Sequence, residues 1–90
     1  MIKKYNLLES DFIFTKIVTK SEKKDCFILI PSKYNLPSKL TIFSDKWKFY
    51  STIDSRNRIY ANSLFEKLKI EIGTEIKFSR KNGKYYFSTI

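Results

Sequence analysis

Residues 52–78, TIDSRNRIYANSLFEKLKIEIGTEIKF, constrain the fold of this chain more than any other stretch. They read in order as a strand, a basic turn, a short strand, a brief capped helix, a glycine turn and a strand. A fainter version of the pattern precedes them: Phe27-Ile28-Leu29-Ile30-Pro31, a polar turn through Asn35 and Pro37, then Leu40-Thr41-Ile42-Phe43. Two imperfect copies of one strand–turn–strand unit, the weaker over about residues 11–45 and the clearer over about 46–90, imply a duplicated β-fold. The expected architecture is therefore mainly β, a small closed or swapped barrel of about seven short strands with one short helix. Closure is favoured because an open sheet leaves unpaired edges exposed.

Ninety residues make one domain. A chain of this size buries only about two-thirds of its extended surface, so the core has to be efficient. Eight Phe and six Tyr supply it without a staple, since each ring can remove roughly 150–250 Å² from water. The single cysteine, Cys26, cannot form an internal disulfide; in its apolar run it reads as a buried packing residue in a reducing compartment. No apolar run approaches the roughly 20 residues that span a bilayer, and Met1-Ile2-Lys3-Lys4-Tyr5 lacks the apolar core of a secretory signal. The expectation is a cytoplasmic protein, nucleoid-associated if it binds DNA.

The balance of 18 basic to nine acidic residues gives a net charge of +9. Such an excess favours polyanions through counterion release. A second source of the charge stands beside that one. Lysine greatly outnumbers arginine, and Ile, Asn, Tyr and Phe abound while Ala, Gly and Pro are scarce, as an AT-rich coding sequence produces.

Along the chain, residues 11–20 are dense in β-branched and aromatic types and read as a strand, followed by a charged turn over 21–25. Residues 26–30 form an apolar run short enough for a strand buried on both faces. Pro31 and Pro37 bracket a loop, because neither donates into a ladder. In residues 46–53, Trp47, Phe49 and Ser51 alternate with Lys48, Tyr50 and Thr52, the period of a strand with one wetter face. Ser63 and Glu66 have the spacing of a capping box, with Leu64, Phe65 and Leu68 facing the core. Gly73 permits a positive-φ turn. Asn82-Gly83 is a two-residue hairpin signal, with the adjacent Tyr85 and Tyr86 directed to opposite faces.

Asp54-Ser55-Arg56-Asn57-Arg58-Ile59-Tyr60-Ala61, the leucines 64 and 68, and Ile70-Glu71-Ile72-Gly73-Thr74-Glu75-Ile76 together resemble the AbrB/MraZ/SpoVT group of DNA-binding β-modules. That group's pattern runs Asp-x-x-Gly-Arg-Ile-x-Ile-Pro, a short leucine-bearing helix, then Leu-x-Ile-x-x-Gly-Asp-x-Val. Here Asn57 stands for the turn glycine, a substitution that its access to left-handed backbone permits. Ala61 stands for the proline and Thr74 for the aspartate, while Pro31 keeps the proline's place in the weaker copy. Two copies in one chain are also similar to the DNA-binding pseudobarrels of plant transcription factors and of some restriction-enzyme recognition domains. That resemblance implies two arms gripping the major groove, residues 20–24 on one and 54–58 on the other.

Arg56 and Arg58 are the sharpest candidates, because only three arginines exist and two share one turn. Arginine forks onto guanine or phosphate, and Asn57 between them could read adenine. The plain alternative is a local surface pair of Asp54 with Arg56, worth under about 1 kcal/mol. Lys20, Lys23 and Lys24 suit phosphate contacts, diluted by Glu22 and Asp25. Lys46 and Lys48 flank Trp47, which could stack on a base but reads first as core. Arg80 and Lys81, with Lys84, surround the Asn82-Gly83 turn as further phosphate contacts or as solubility charges.

The chain has no histidine and no glycine-rich phosphate loop, so neither a catalytic constellation nor a cofactor or metal site is expected. The expected function is a small transcriptional regulator that contacts double-stranded DNA through basic turns. RNA or single-stranded DNA are also compatible ligands, no membrane is expected, and the chain would act as monomer or homodimer. The rival readings are a protein-interaction module, antitoxin-like or a complex subunit, and a sequence-neutral nucleic-acid coat.

Overall fold

A computed structural model describes residues 11–90. The N-terminal pentapeptide considered above as a signal lies outside the described residues. Those described form seven strands and two short helices: β1 (Phe12–Ile17), α1 (Lys20–Asp25), β2 (Phe27–Leu29), β3 (Lys39–Ser44), β4 (Trp47–Ile53), β5 (Arg58–Tyr60), α2 (Asn62–Lys67), β6 (Glu75–Lys81) and β7 (Lys84–Thr89). All seven strands join one sheet in the order β1-β6-β7-β3-β4-β5-β2, curled into a half-barrel. The mainly β, barrel-like fold is the one expected. Neighbours pair antiparallel except β3 and β7, which run parallel and join the two hairpins β3–β4 and β6–β7 at the centre.

Alternation sets the face of each strand. Along β6, Ile76, Phe78 and Arg80 turn inward while Glu75, Lys77 and Lys81 face solvent. Along β4, Phe49 and Ser51 are buried and Lys48, Tyr50 and Thr52 exposed, the phase its sequence calls for. Ile28, Ile30, Ile42, Ile59, Leu64, Ile70, Ile76 and Phe78 form the driest part of the core. Each such side chain contributes roughly 1.5–3 kcal/mol of transfer free energy. Tyr85 joins them, with its neighbour Tyr86 on the outer face. The Asn82-Gly83 hairpin forms as anticipated, with both residues at positive φ (53° and 78°) and Lys81 opposite Lys84.

Three local readings change. Residues 20–25 are a helix rather than a turn. Thr19 and Glu22 form a reciprocal capping box, and Cys26 at φ 55° closes the helix. Cys26 is a free thiol packed beside the core, and it ends α1 instead of opening β2. β2 is an end strand in which the successive residues Phe27 and Ile28 are both buried, as a strand covered on both faces requires, and Leu29 alone is exposed. The Ser63–Glu66 box is absent: α2 starts two residues earlier, behind Ala61, with no side-chain cap. Leu64 and Phe65 anchor α2 in the core and Leu68 packs against it. No helix among the described residues is long and apolar enough to cross a membrane.

Candidate nucleic-acid interface

The turn between β4 and β5 is organised by one carboxylate. Asp54 Oδ1 accepts the backbone N–H groups of Arg56 and Arg58 at 2.9 and 3.1 Å. Its Oδ2 accepts Arg58 Nε at 2.7 Å and the Tyr60 hydroxyl at 3.1 Å, and lies 2.7 Å from Arg58 Nη2. Desolvation pushes the Asp54 pKa up, but the hydrogen bonds from Arg58, Arg56 and Tyr60 outweigh it and bring the carboxyl from 3.8 down to about 2. The Arg58 guanidinium is thereby pinned. It also lies over the rings of Phe27 and Tyr60, 5.5 and 5.7 Å from their centroids.

Asn57 takes the left-handed conformation its substitution for glycine requires, at φ 60°. Its Nδ2 donates to the carbonyls of Pro31 and Tyr34, at 3.1 and 2.9 Å. Both amide hydrogens therefore tie the turn to the loop after β2. Arg56 remains. It is exposed, its side chain has no partner among the described residues, and the Asp54 carboxylate is taken up by Arg58. The side-chain pair that Asp54 makes is with Arg58, where the plain alternative places Arg56.

The lysines of α1 divide. Lys23 donates to the Ile70 carbonyl at 2.9 Å and faces Glu71 at 3.4 Å, so it fastens α1 to the segment before β6. Lys20 and Lys24 are exposed. Glu22, read from sequence as a diluting surface charge, is only 2% exposed. Its carboxylate accepts from Lys16 Nζ, the Thr19 N–H and hydroxyl, and the Leu29 N–H at 2.7 Å. Desolvation raises its pKa, yet those donors prevail and hold it below the usual carboxylate value. Because Leu29 is the register partner of Arg58, Glu22 fixes α1 to the same β2–β5 ribbon that carries the Arg56 turn.

Arg80 is turned into the fold rather than out at the hairpin tip. It lies on the inward phase of β6, 6% exposed, and donates to Asn35 O at 3.2 Å and the Tyr85 hydroxyl at 2.9 Å. Its guanidinium also covers the Phe12 and Tyr85 rings. Lys81, one residue on, is exposed with Lys84 opposite it. Lys46 leans over Trp47, which Lys67 covers at 4.8 Å, and the indole packs against the core. Lys48 lies over Phe43 at 5.8 Å.

One group escaped sequence reasoning. The registers place Ile13, Ser79, Tyr86, Phe43 and Lys48 in one row across five strands on the solvent side. The rings of Phe43 and Tyr86 sit 5.9 Å apart, and Lys77 and Lys81 line the same shallow depression with them. Tyr50, 78% exposed, stands two residues beyond Lys48 on that face. The alternation within residues 75–81 and 84–89 carried this signal, but it needed the strand order to bring the rows together.

No known protein-family model matches the chain, and no curated protein matches it either.

Proposed function

We propose that this protein is a DNA-binding β-module that contacts duplex through the Arg56 turn, with Lys20 and Lys24 of α1 as flanking phosphate contacts. The observation that carries the reading is the presentation of Arg56. Asp54 and Asn57 rigidify its turn from both sides, and Arg58 occupies the Asp54 carboxylate that could otherwise neutralise it. The turn backbone is preorganised, and the exposed guanidinium it presents can fork onto phosphate or guanine. The overall charge of +9 supplies the longer-range attraction. Transcriptional regulation is the biological role that such a module serves, with the protein acting in the cytoplasm or on the nucleoid.

The test is fluorescence anisotropy of labelled duplex against wild type, Arg56→Ala and Arg56→Lys. Arg56→Ala weakens binding five-fold or more, within the roughly 1–3 kcal/mol of a good arginine contact, while the melting temperature is unchanged. Equal duplex affinity in all three proteins rejects the assignment.

A protein-interaction role is the second reading. It is favoured by Ile13 and Ile17, 71% and 52% exposed on β1 at one end of the sheet order, where another chain can add a strand.

A further inference from the structure

We infer that the outer face of the sheet, built on Phe43, Tyr50 and Tyr86 with Lys48, Lys77 and Lys81, is a second surface that takes single-stranded nucleic acid. It rests on the reading that the positive charge serves nucleic acid, and it goes beyond the turn site in both place and ligand form.

Three observations carry it. The first is exposed aromatic area where a strand's wet side ordinarily carries polar residues. Tyr50 and Tyr86 are 78% and 39% exposed, and Tyr86 is paired with the Phe43 ring at 5.9 Å. Parallel pairing of β3 with β7 makes that ring pair possible, since it sets Phe43 directly beside Tyr86. The second is charge. Lys48 faces Phe43 across β3–β4, Lys77 and Lys81 border the same depression, and Lys84 lies opposite Lys81. Asp45 is the one acid among the residues lining that depression. The third is shape: the depression is open to solvent on the outer side of the curled sheet.

These features select the ligand. Bases of a single strand are free to stack on flat rings while lysines follow the phosphates. A paired duplex keeps its bases inside the stack, so it can use the lysines but not the rings. An acidic peptide would use the lysines as well, yet would leave the three rings unused. Ring stacking is sequence-tolerant, so this face adds affinity for unpaired segments without a base code.

The experiment measures anisotropy of labelled oligo-dT, oligo-U and a random duplex against wild type, Tyr50→Ala, Tyr86→Leu, Lys77→Ala/Lys81→Ala and Arg56→Ala, with circular dichroism melts of each protein. Tyr50 is so exposed that its loss leaves folding intact, which keeps the test decisive if the Tyr86 variant is unstable. The expected result is single-strand binding reduced about five-fold or more in Tyr50→Ala, reduced in the double lysine variant, and unchanged in Arg56→Ala. The single-strand salt slope becomes shallower by about 1.4 in the double lysine variant, at about 0.7 per phosphate contact. Single-strand binding that is indifferent to both tyrosine variants overturns the inference. Duplex binding sensitive to Arg56→Ala in that same series leaves the turn site standing. Single-strand binding through the tyrosines with no duplex binding has the opposite meaning: the face stands and the turn site falls. No binding of any strand overturns both.

Discussion

Lys16 and Glu22 close the seam between the two ends of the sheet. Lys16 projects from β1, Glu22 from α1, and the pair meets at β2, where Lys16 Nζ donates to the Leu29 carbonyl and Glu22 accepts the Leu29 N–H. The Leu29 peptide groups would otherwise form the open edge of an end strand. A side-chain ion pair thus does what a further ladder would do, and it blunts a template for aggregation.

Glu22→Ala should destabilise the fold by about 3 kcal/mol, because it leaves the Lys16 ammonium and the Leu29 N–H without their acceptor in a largely dry site. Replacing Lys16 and Glu22 together by Met and Leu should cost less than Glu22→Ala alone, since no uncompensated charge remains. Urea titrations of the three proteins check this ordering. A double variant less stable than Glu22→Ala contradicts it.

Acid should loosen the Arg56 turn in a defined window. The Asp54 pKa is depressed in the folded state, to about 2 from 3.8. Its contribution to stability is therefore complete above the unfolded value and is lost as pH falls from about 4 through about 2. Asp54→Asn should remove that part of the acid dependence, seen as a flatter thermal melting profile between about pH 4 and pH 2. An unchanged profile would mean that the carboxylate does not organise the turn.

Asn57 separates a backbone requirement from a side-chain one. Asn57→Gly keeps φ 60° accessible and loses only the two bonds to Pro31 and Tyr34, costing about 1–2 kcal/mol. Asn57→Ala loses the same bonds and adds left-handed strain, about 1 kcal/mol more. Chemical denaturation of the pair should show that difference. Equal destabilisation would place the whole cost in the hydrogen bonds.

Arg80 and Arg56 should behave as opposites. Arg80→Ala removes a buried guanidinium from Asn35, Tyr85 and the Phe12 ring, and should lower stability by about 2 kcal/mol or more. Its effect on duplex affinity, measured where the variant is folded, should be negligible. A stable Arg80→Ala protein with weakened duplex binding would reverse the two assignments.

These contrasts show what was legible before the structure. The period of two in residues 46–53 displays β4 and its faces directly, and Asn82-Gly83 marks its hairpin, because both signals are local. α1 was hidden: Lys-Ser-Glu-Lys-Lys-Asp has no apolar stripe, and its sign was the Thr19-x-x-Glu22 spacing. The same spacing at Ser63 misled, since α2 is held by Leu64 and Phe65 in the core and needs no side-chain cap. At the site, the left-handed Asn57 could be read from its sequence neighbours. Its bonds to residues 23 and 26 positions away could not. Sequence proximity places Arg80 at the hairpin tip, whereas its phase with Phe78 and Ile76 turns it inward. The row from Ile13 to Lys48 depends on the parallel β3–β7 pairing, which no local pattern encodes.

The most direct test of the account is the affinity of this chain for duplex DNA at about 50 and 200 mM salt. With Arg56, Lys20 and Lys24 as three phosphate contacts, affinity should fall about forty-fold across that range, the slope of roughly 0.9 per contact that counterion release gives. Absence of binding at the lower salt would contradict the account, and would leave the +9 charge a property of composition alone.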